Sequence, residues 1–182
     1  MDGVEASATT CIALGANLPG PAGSPAATLV AVRSLLTSVL RNRSYGRLEW
    51  SPLFRTAAVG GPTDQPDYLN AVVLAWGHQE AKPLGLLQEL QTLEQQFGRQ
   101  RAVHWGPRSL DLDLLWCGAT SIQTPDLELP HPRLTERAFV LAPLAAIAPH
   151  LVPPGAPGSV TALLHPLQCR ADRLNGTPGW PE

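Results

Sequence analysis

"HWGPRSLDLDLLW" (His104–Trp116) decides how this chain is read. In its second half Leu110, Leu112 and Leu114 alternate with Asp111 and Asp113. A period of two belongs to a β-strand, where residues i and i+2 share a face about 6.6 Å apart. The leucines then face a core, and both carboxylates face whatever covers the other side.

Working outward, the other elements follow from spacing and punctuation. "TTCIALGAN" (Thr9–Asn17) is a β-favouring run that ends in a turn. After the loop "GPAGSP", Ser24 can cap a helix with Pro25 at its first position. Leu29, Val32, Leu36, Val39 and Leu40 then recur at helical spacing to about Arg43. "RLEWSPLFRTA" (Arg47–Ala57) reads as an extended segment interrupted at Pro52, and "YLNAVVLAWG" (Tyr68–Gly77) as another strand. The Gly/Pro-rich loop Ala58–Asp67 joins them. "KPLGLLQELQTLEQQFG" (Lys82–Gly98) is a helix that stops at a glycine. After the Asp-bearing strand, a helix is expected over Arg133–Ala148, bent or divided by Pro143. Beyond Pro149 the pattern predicts coil, with a short helix near Val160–Leu164.

The order β-α-β-β-α-β is the ferredoxin-like pattern, an α+β fold with helices on one face of an antiparallel sheet. The 182 residues read as a single domain, with a core at about 9–150 and a Pro/Gly-rich C-terminal segment at 151–182. The fold names no function.

Composition narrows the classes. A 44% hydrophobic, 15% charged chain is globular rather than disordered. A net charge of −2 gives no electrostatic case for nucleic acid or an acidic membrane. Cys11, Cys117 and Cys169 are widely spaced and form no Cys-x-x-Cys pair, which suits reduced thiols rather than disulfides. "MDGVEASATT" does not resemble a signal peptide, and no apolar run reaches membrane-spanning length. The expectation is a cytoplasmic protein. Lys82 is the one lysine among 13 basic residues, so the chain is rich in the bidentate guanidinium fork; an arginine-favouring genome would give the same total.

Two carboxylates on one face repel unless cations offset them. Mg²⁺ typically takes one or two carboxylates plus phosphate oxygens, and paired metals bridged this way serve phosphoryl transfer. Asp-x-Asp alone also suits a solvated amphipathic strand. Arg99, Arg101 and Arg108 lie just upstream, on a loop with Trp105, Gly106 and Pro107. Guanidiniums beside carboxylates suit a polyphosphate with its metals, against the plainer reading of solvated loop charges, and Trp105 either anchors the loop in the core or serves a lid over a flat ligand. No P-loop motif occurs. Asn70, an amide in an apolar strand, either reads a heterocycle edge or is a satisfied buried group. Phe139 is most simply a core residue. His131, between prolines, either donates to phosphate or fixes its loop.

With these residues in view, "WGPRSLDLDLL" resembles the signature of the 6-hydroxymethyl-7,8-dihydropterin pyrophosphokinases of folate synthesis. "ALGANL", "FRTAAVGGPTDQPDYLNAVV", "GRQRAVHWGPR" and "LPHPRLTERAFVLAPLAAIAP" extend the resemblance from about Ile12 to Pro149. It implies transfer of pyrophosphate from ATP to the pterin hydroxymethyl group, with release of AMP. Asp111 and Asp113 would hold two Mg²⁺ ions, with Asp113 helping to orient the attacking hydroxyl. Arg99 and Arg108 would be catalytic contacts to the phosphates. Gln91, Glu94, Arg101, Trp105, Leu114, His131 and Arg137 would be ATP-side contacts. The pterin would sit between Tyr68 and Phe139, with Asn70, Thr56, Ala57, Val59 and Trp105 around it. The resemblance further implies mobile loops at Ala58–Asp67 and Arg99–Arg108, and a monomer.

Some positions depart from the pattern. His104 stands where an arginine is common, Glu128 where a hydroxyl residue can touch the nucleotide, and Ala57 and Ala58 where prolines are common. Three other readings are a different two-metal phosphoryl enzyme, a metabolite-sensing domain without catalysis, and one module of a fused folate enzyme. The single-domain length and the lack of a second motif set speak against the last.

Overall fold

Every residue from Thr9 to Ala16 is buried, as a central strand requires. This strand, β1 (Thr9–Ala16), runs antiparallel to β4 (Tyr68–Gly77) on one side and β5 (Asp111–Cys117) on the other. The structure, a computed structural model, describes residues 6–62, 64–77, 82–99, 106–167 and 170–181. The far edge of β4 takes two strands in turn, β2 (Tyr45–Trp50) and β3 (Leu53–Thr56). They divide at Ser51–Pro52, because proline has no N–H to give a ladder. Ser51 covers the break, its hydroxyl accepting from Val72 N at 3.0 Å. The strand order is β5-β1-β4-β3-β8, with β8 (Ala171–Leu174) antiparallel to β3. Among the short elements, β6 (Ile122–Gln123) and β7 (Glu128–Leu129) form a separate hairpin.

The two expected helices cover one face. Helix α1 (Pro25–Asn42) begins where Ser24 Oγ accepts from Ala27 N at 3.2 Å. Its Leu29, Val32, Leu36 and Leu40 pack with Leu86, Leu90 and Leu93 of α2 (Pro83–Gln96) against Ile12, Leu14, Leu112 and Leu114. Burial of each such side chain stabilises by about 1.5–3 kcal/mol. Gly98 follows α2 at φ 79°, a left-handed turn that suits glycine.

The other face is covered as well, which the β-α-β-β-α-β pattern alone does not include. Val140, Leu141 and Leu144 of α3 (Ala138–Ile147) and Val160 of α4 (Val160–Leu164) pack there on Cys11, Val72, Leu74, Leu115 and Trp116. The helix expected over Arg133–Ala148 divides at Arg137, after a 3-10 turn at Leu134–Glu136, and not at Pro143. Helix α3 keeps Pro143 inside at the loss of one backbone hydrogen bond, and its buried apolar side chains hold it. The C-terminal segment forms α4 as expected, but it also supplies β8 and a buried Trp180. Cys11 and Cys117 are buried and form no disulfide, and Cys169 lies outside the described residues.

Candidate active site

Register puts the polar residues in one row. Asp111 pairs with Gly15, and Gly15 on its other side pairs with Asn70; Asp113 pairs with Ala13. All of them face the side that carries α3, at the end α3 leaves open. A cavity of about 390 Å³ lies there. Its lining includes Asp111, Asp113, Arg108 and Arg137, together with Thr56, Ala57, Val59, Tyr68, Asn70 and Phe139.

The floor is a braced carboxylate pair. Arg99 and Arg108 each place Nη1 2.9 Å from Asp111 Oδ1. Arg137 Nη1 donates to Asp113 Oδ2 at 2.7 Å. Burial, and then the Asp113 charge, raise the Asp111 carboxyl above the ordinary carboxylate range, while Arg108 and Arg99 pull it back. The pair thus needs cations, and three arginines supply them.

Glu94 anchors this arrangement from behind. Its side chain is 3% exposed, and Oε1 accepts from Leu112 N at 2.7 Å and also from Arg99. One carboxylate thereby ties α2 to the strand and Arg99 to the site. Burial pushes its carboxyl up to about 7, against the pull of the Leu112 N–H and Arg99. Glu94, Gln91 and Arg99 are not among the residues lining the cavity. Leu114 packs in the α1/α2 core on the opposite face, so its side chain points away from the aspartates. His131 N donates to Leu115 O at 2.7 Å, and its Nδ1 accepts from Arg133 N at 3.1 Å. Burial, followed by the Arg137 charge, lowers its pKa. That shift favours the neutral ring, and because Nδ1 accepts from Arg133 N, the ring proton of that form sits on Nε2.

The opposite wall is polar at its base and aromatic above. Asn70 Nδ2 donates to Thr56 Oγ1 at 2.8 Å, with both residues buried. Tyr68 donates to Gly106 O at 3.3 Å, and the Arg137 guanidinium sits 5.6 Å from the Phe139 ring. Phe139 thus serves the cavity wall as well as its helix. Val59 is 63% exposed, in keeping with a loop residue that has no core to enter. Arg101, His104 and Trp105 lie outside the described residues.

Sequence reasoning missed two residues that shape the site. Asn17, 3% exposed, accepts from Arg108 N at 2.8 Å and donates to Pro66 O at 3.0 Å, tying both flanking loops to the end of β1. Gly15 leaves room for the floor, since a Cβ there would lie 3.2 Å from Asn70 Oδ1 and 3.7 Å from Tyr68 Cδ1. The motif "GAN" holds both, but a Gly–Asn pair after a strand reads first as a turn.

A carboxylate pair braced by arginines, beside an amide and two aromatic rings on a ferredoxin-like sheet, suits an enzyme of phosphoryl transfer to a flat substrate. The chain belongs to the 7,8-dihydro-6-hydroxymethylpterin-pyrophosphokinase (HPPK) family, whose model matches residues 11–149. It is similar to the 2-amino-4-hydroxy-6-hydroxymethyldihydropteridine pyrophosphokinase of Haemophilus influenzae, at 41% identity over 146 residues, 80% of this chain and 85% of that protein. The Synechocystis protein of the same name is 42% identical over 121 residues; the match covers 66% of this chain and 60% of that one. A crystal structure of Plasmodium falciparum HPPK-DHPS with SDX-DHP has the same fold, with TM-score 0.60 at 14% identity. That match covers 87% of this chain and 43% of the Plasmodium chain. No helix among the described residues is long and apolar enough to cross a membrane.

Proposed function

We propose that this chain passes pyrophosphate from ATP to the hydroxymethyl group of 6-hydroxymethyl-7,8-dihydropterin, releasing AMP, and that the cavity floor is where it does so. The observation that carries this reading is the floor itself, Asp111 and Asp113 on one strand face with Arg99, Arg108 and Arg137 upon them. Such a site exchanges partners: the guanidiniums turn to phosphate oxygens as the nucleotide binds, and the carboxylates are released to hold cations.

The residues fit Mg²⁺. Both aspartates offer hard oxygen donors to the cavity, with side chains 24% and 32% exposed. No cluster of three or more metal-binding side chains occurs among the described residues, so phosphate oxygens would complete the shell. Two Mg²⁺ ions bound there would neutralise the triphosphate and polarise the phosphorus under attack.

The chain's own groups supply position. Tyr68 and Phe139 stack on the two faces of the pterin, with Thr56, Ala57, Val59 and Asn70 around its edge; each stacked face adds about 1 kcal/mol beyond burial. Asp113 orients the hydroxyl, whose oxygen attacks the β-phosphorus as its proton leaves. The bond from that phosphorus to the bridging oxygen breaks, and the oxygen departs with AMP. Arg99 and Arg108 stabilise the charge that develops, and the in-line arrangement supplies most of the catalysis. His131, through Nε2–H, and Arg137 serve the nucleotide, with Gln91, Arg101 and Trp105 completing that side. Glu94 acts by holding Arg99, and Leu114 through its backbone. The chain works as one cytoplasmic, monomeric domain.

The test is AMP formation from ATP and Mg²⁺ with and without the pterin, in the native chain and in Asp111→Ala. The reading expects AMP only with pterin and none above background in the variant. ADP as the product, or AMP at equal rate without pterin, contradicts it.

A further inference from the structure

The segment after the family-matched stretch, which ends at residue 149, returns to the site. Leu167 lines the cavity. Four residues on, β8 joins the edge of β3, with Ala171 opposite Thr56 and Leu174 opposite Leu53. Thr56 is the end of β3, the acceptor of the Asn70 amide, and the residue from which the wall Ala57–Gly60 continues. Helix α3, which carries Phe139, lies against both β3 and β8. Leu167 and Phe139 both line the cavity, and both pack at the edge of the apolar cluster that α3 builds on this face.

The far end of the segment is pinned. Trp180 is 7% exposed, and its Nε1 donates to Ser51 O at 2.8 Å. Its ring meets Trp50 edge-on at 5.7 Å, and the Arg33 guanidinium lies 5.6 and 5.9 Å from the two rings. Arg33 Nη1 also donates to Gly179 O at 3.2 Å. A strand anchored at such a cluster holds its neighbour β3 in place, and with it the hydroxyl that orients Asn70.

We propose that the C-terminal segment is part of the pterin site, with Leu167 as a specificity-determining apolar wall and β8 as the strap that positions Thr56 and Asn70. This rests on the reading of the cavity given under Proposed function. The nucleotide side has no share in it.

The test uses the full chain with Leu167→Ala, Leu167→Met and Trp180→Ala, measuring kcat, KM for pterin, KM for ATP and the unfolding temperature. Lost apolar contact at a substrate pocket predicts a KM for pterin up by about tenfold in Leu167→Ala. KM for ATP stays within about twofold, and Leu167→Met restores the native values. Trp180→Ala shifts KM for pterin in the same direction through a loosened β3; if it fails to fold, the Leu167 pair still decides. Unchanged constants in Leu167→Ala, or pterin and ATP constants that rise together, overturn the inference alone. A native chain that turns over no pterin overturns the reading of the cavity instead.

Discussion

Gly15→Ala asks whether the floor is shaped for a ligand or for the fold. The added Cβ would meet Asn70 Oδ1 at 3.2 Å and Tyr68 Cδ1 at 3.7 Å. The first contact is tight by a few tenths of an ångström, so the amide must shift, and its 2.8 Å bond to Thr56 stretches by a similar amount. Such a shift costs a fraction of one hydrogen bond, about 0.5–1 kcal/mol. Replacing glycine by alanine within a strand returns about the same. Net stability should therefore stay within about 1 kcal/mol, a few degrees in unfolding temperature. The site fares worse. A methyl between Asn70 and Tyr68 displaces a ring seated on them, and a misplacement of about 1 Å can cost about 100-fold in rate. Thermal unfolding with steady-state kinetics on the same samples separates the effects. The expected result is kcat/KM for pterin down by about 10- to 100-fold, with the fold intact. A loss of more than about 2 kcal/mol with kcat/KM unchanged would refute the reasoning and make Gly15 a packing residue.

Asn70→Ala should raise the Kd for pterin by about 10- to 100-fold, the worth of one or two lost hydrogen bonds, while ATP binding holds steady; calorimetry with each ligand reads the difference. Asp111→Asn should bind ATP with Mg²⁺ far less tightly, yet fold as well as the native chain or better, because it relieves a carboxyl whose ionised form burial disfavours. Glu94 gives a pH dependence. Its folded carboxyl titrates near 7, against 4.5 as its ordinary value, so the folded state keeps this proton longer than the unfolded chain. The stability it contributes is complete below pH 4.5 and is lost as pH rises through about 7, on the order of 3 kcal/mol. Urea titrations should therefore show Glu94→Gln gaining on the native chain between pH 4.5 and 8; a constant difference would contradict it.

The parts of this molecule that follow from local pattern could be read in advance. Alternation at Leu110–Leu114 places β5 and sets both aspartates on one face, and Ser24–Pro25 marks the start of α1. Asn70 stood out because an amide in an apolar strand needs a reason, and the structure supplies one in Thr56. The same alternation puts Leu114 with the core leucines, so its side chain could have been separated from the aspartates by periodicity alone. Glu94 was equally readable in principle. It lies four residues after Leu90 and beside Leu93, on the buried stripe of α2, where a carboxylate must find partners. Long-range pairing was out of reach. The partner of β8 is a strand far earlier in the chain, and a short Pro/Gly-flanked segment carries no mark of what it will pair with. Gly15 became meaningful only once register put Asn70 on one side and Asp111 on the other.

The most direct measurement is the fate of label from ATP. The native chain, with Mg²⁺ and 6-hydroxymethyl-7,8-dihydropterin, is given ATP labelled at the α- or at the γ-phosphorus. Attack at the β-phosphorus on the Asp111–Asp113 floor predicts all α-label in AMP and all γ-label in the pterin product. γ-Label in the pterin with α-label in ADP, or γ-label released as free phosphate, would contradict it.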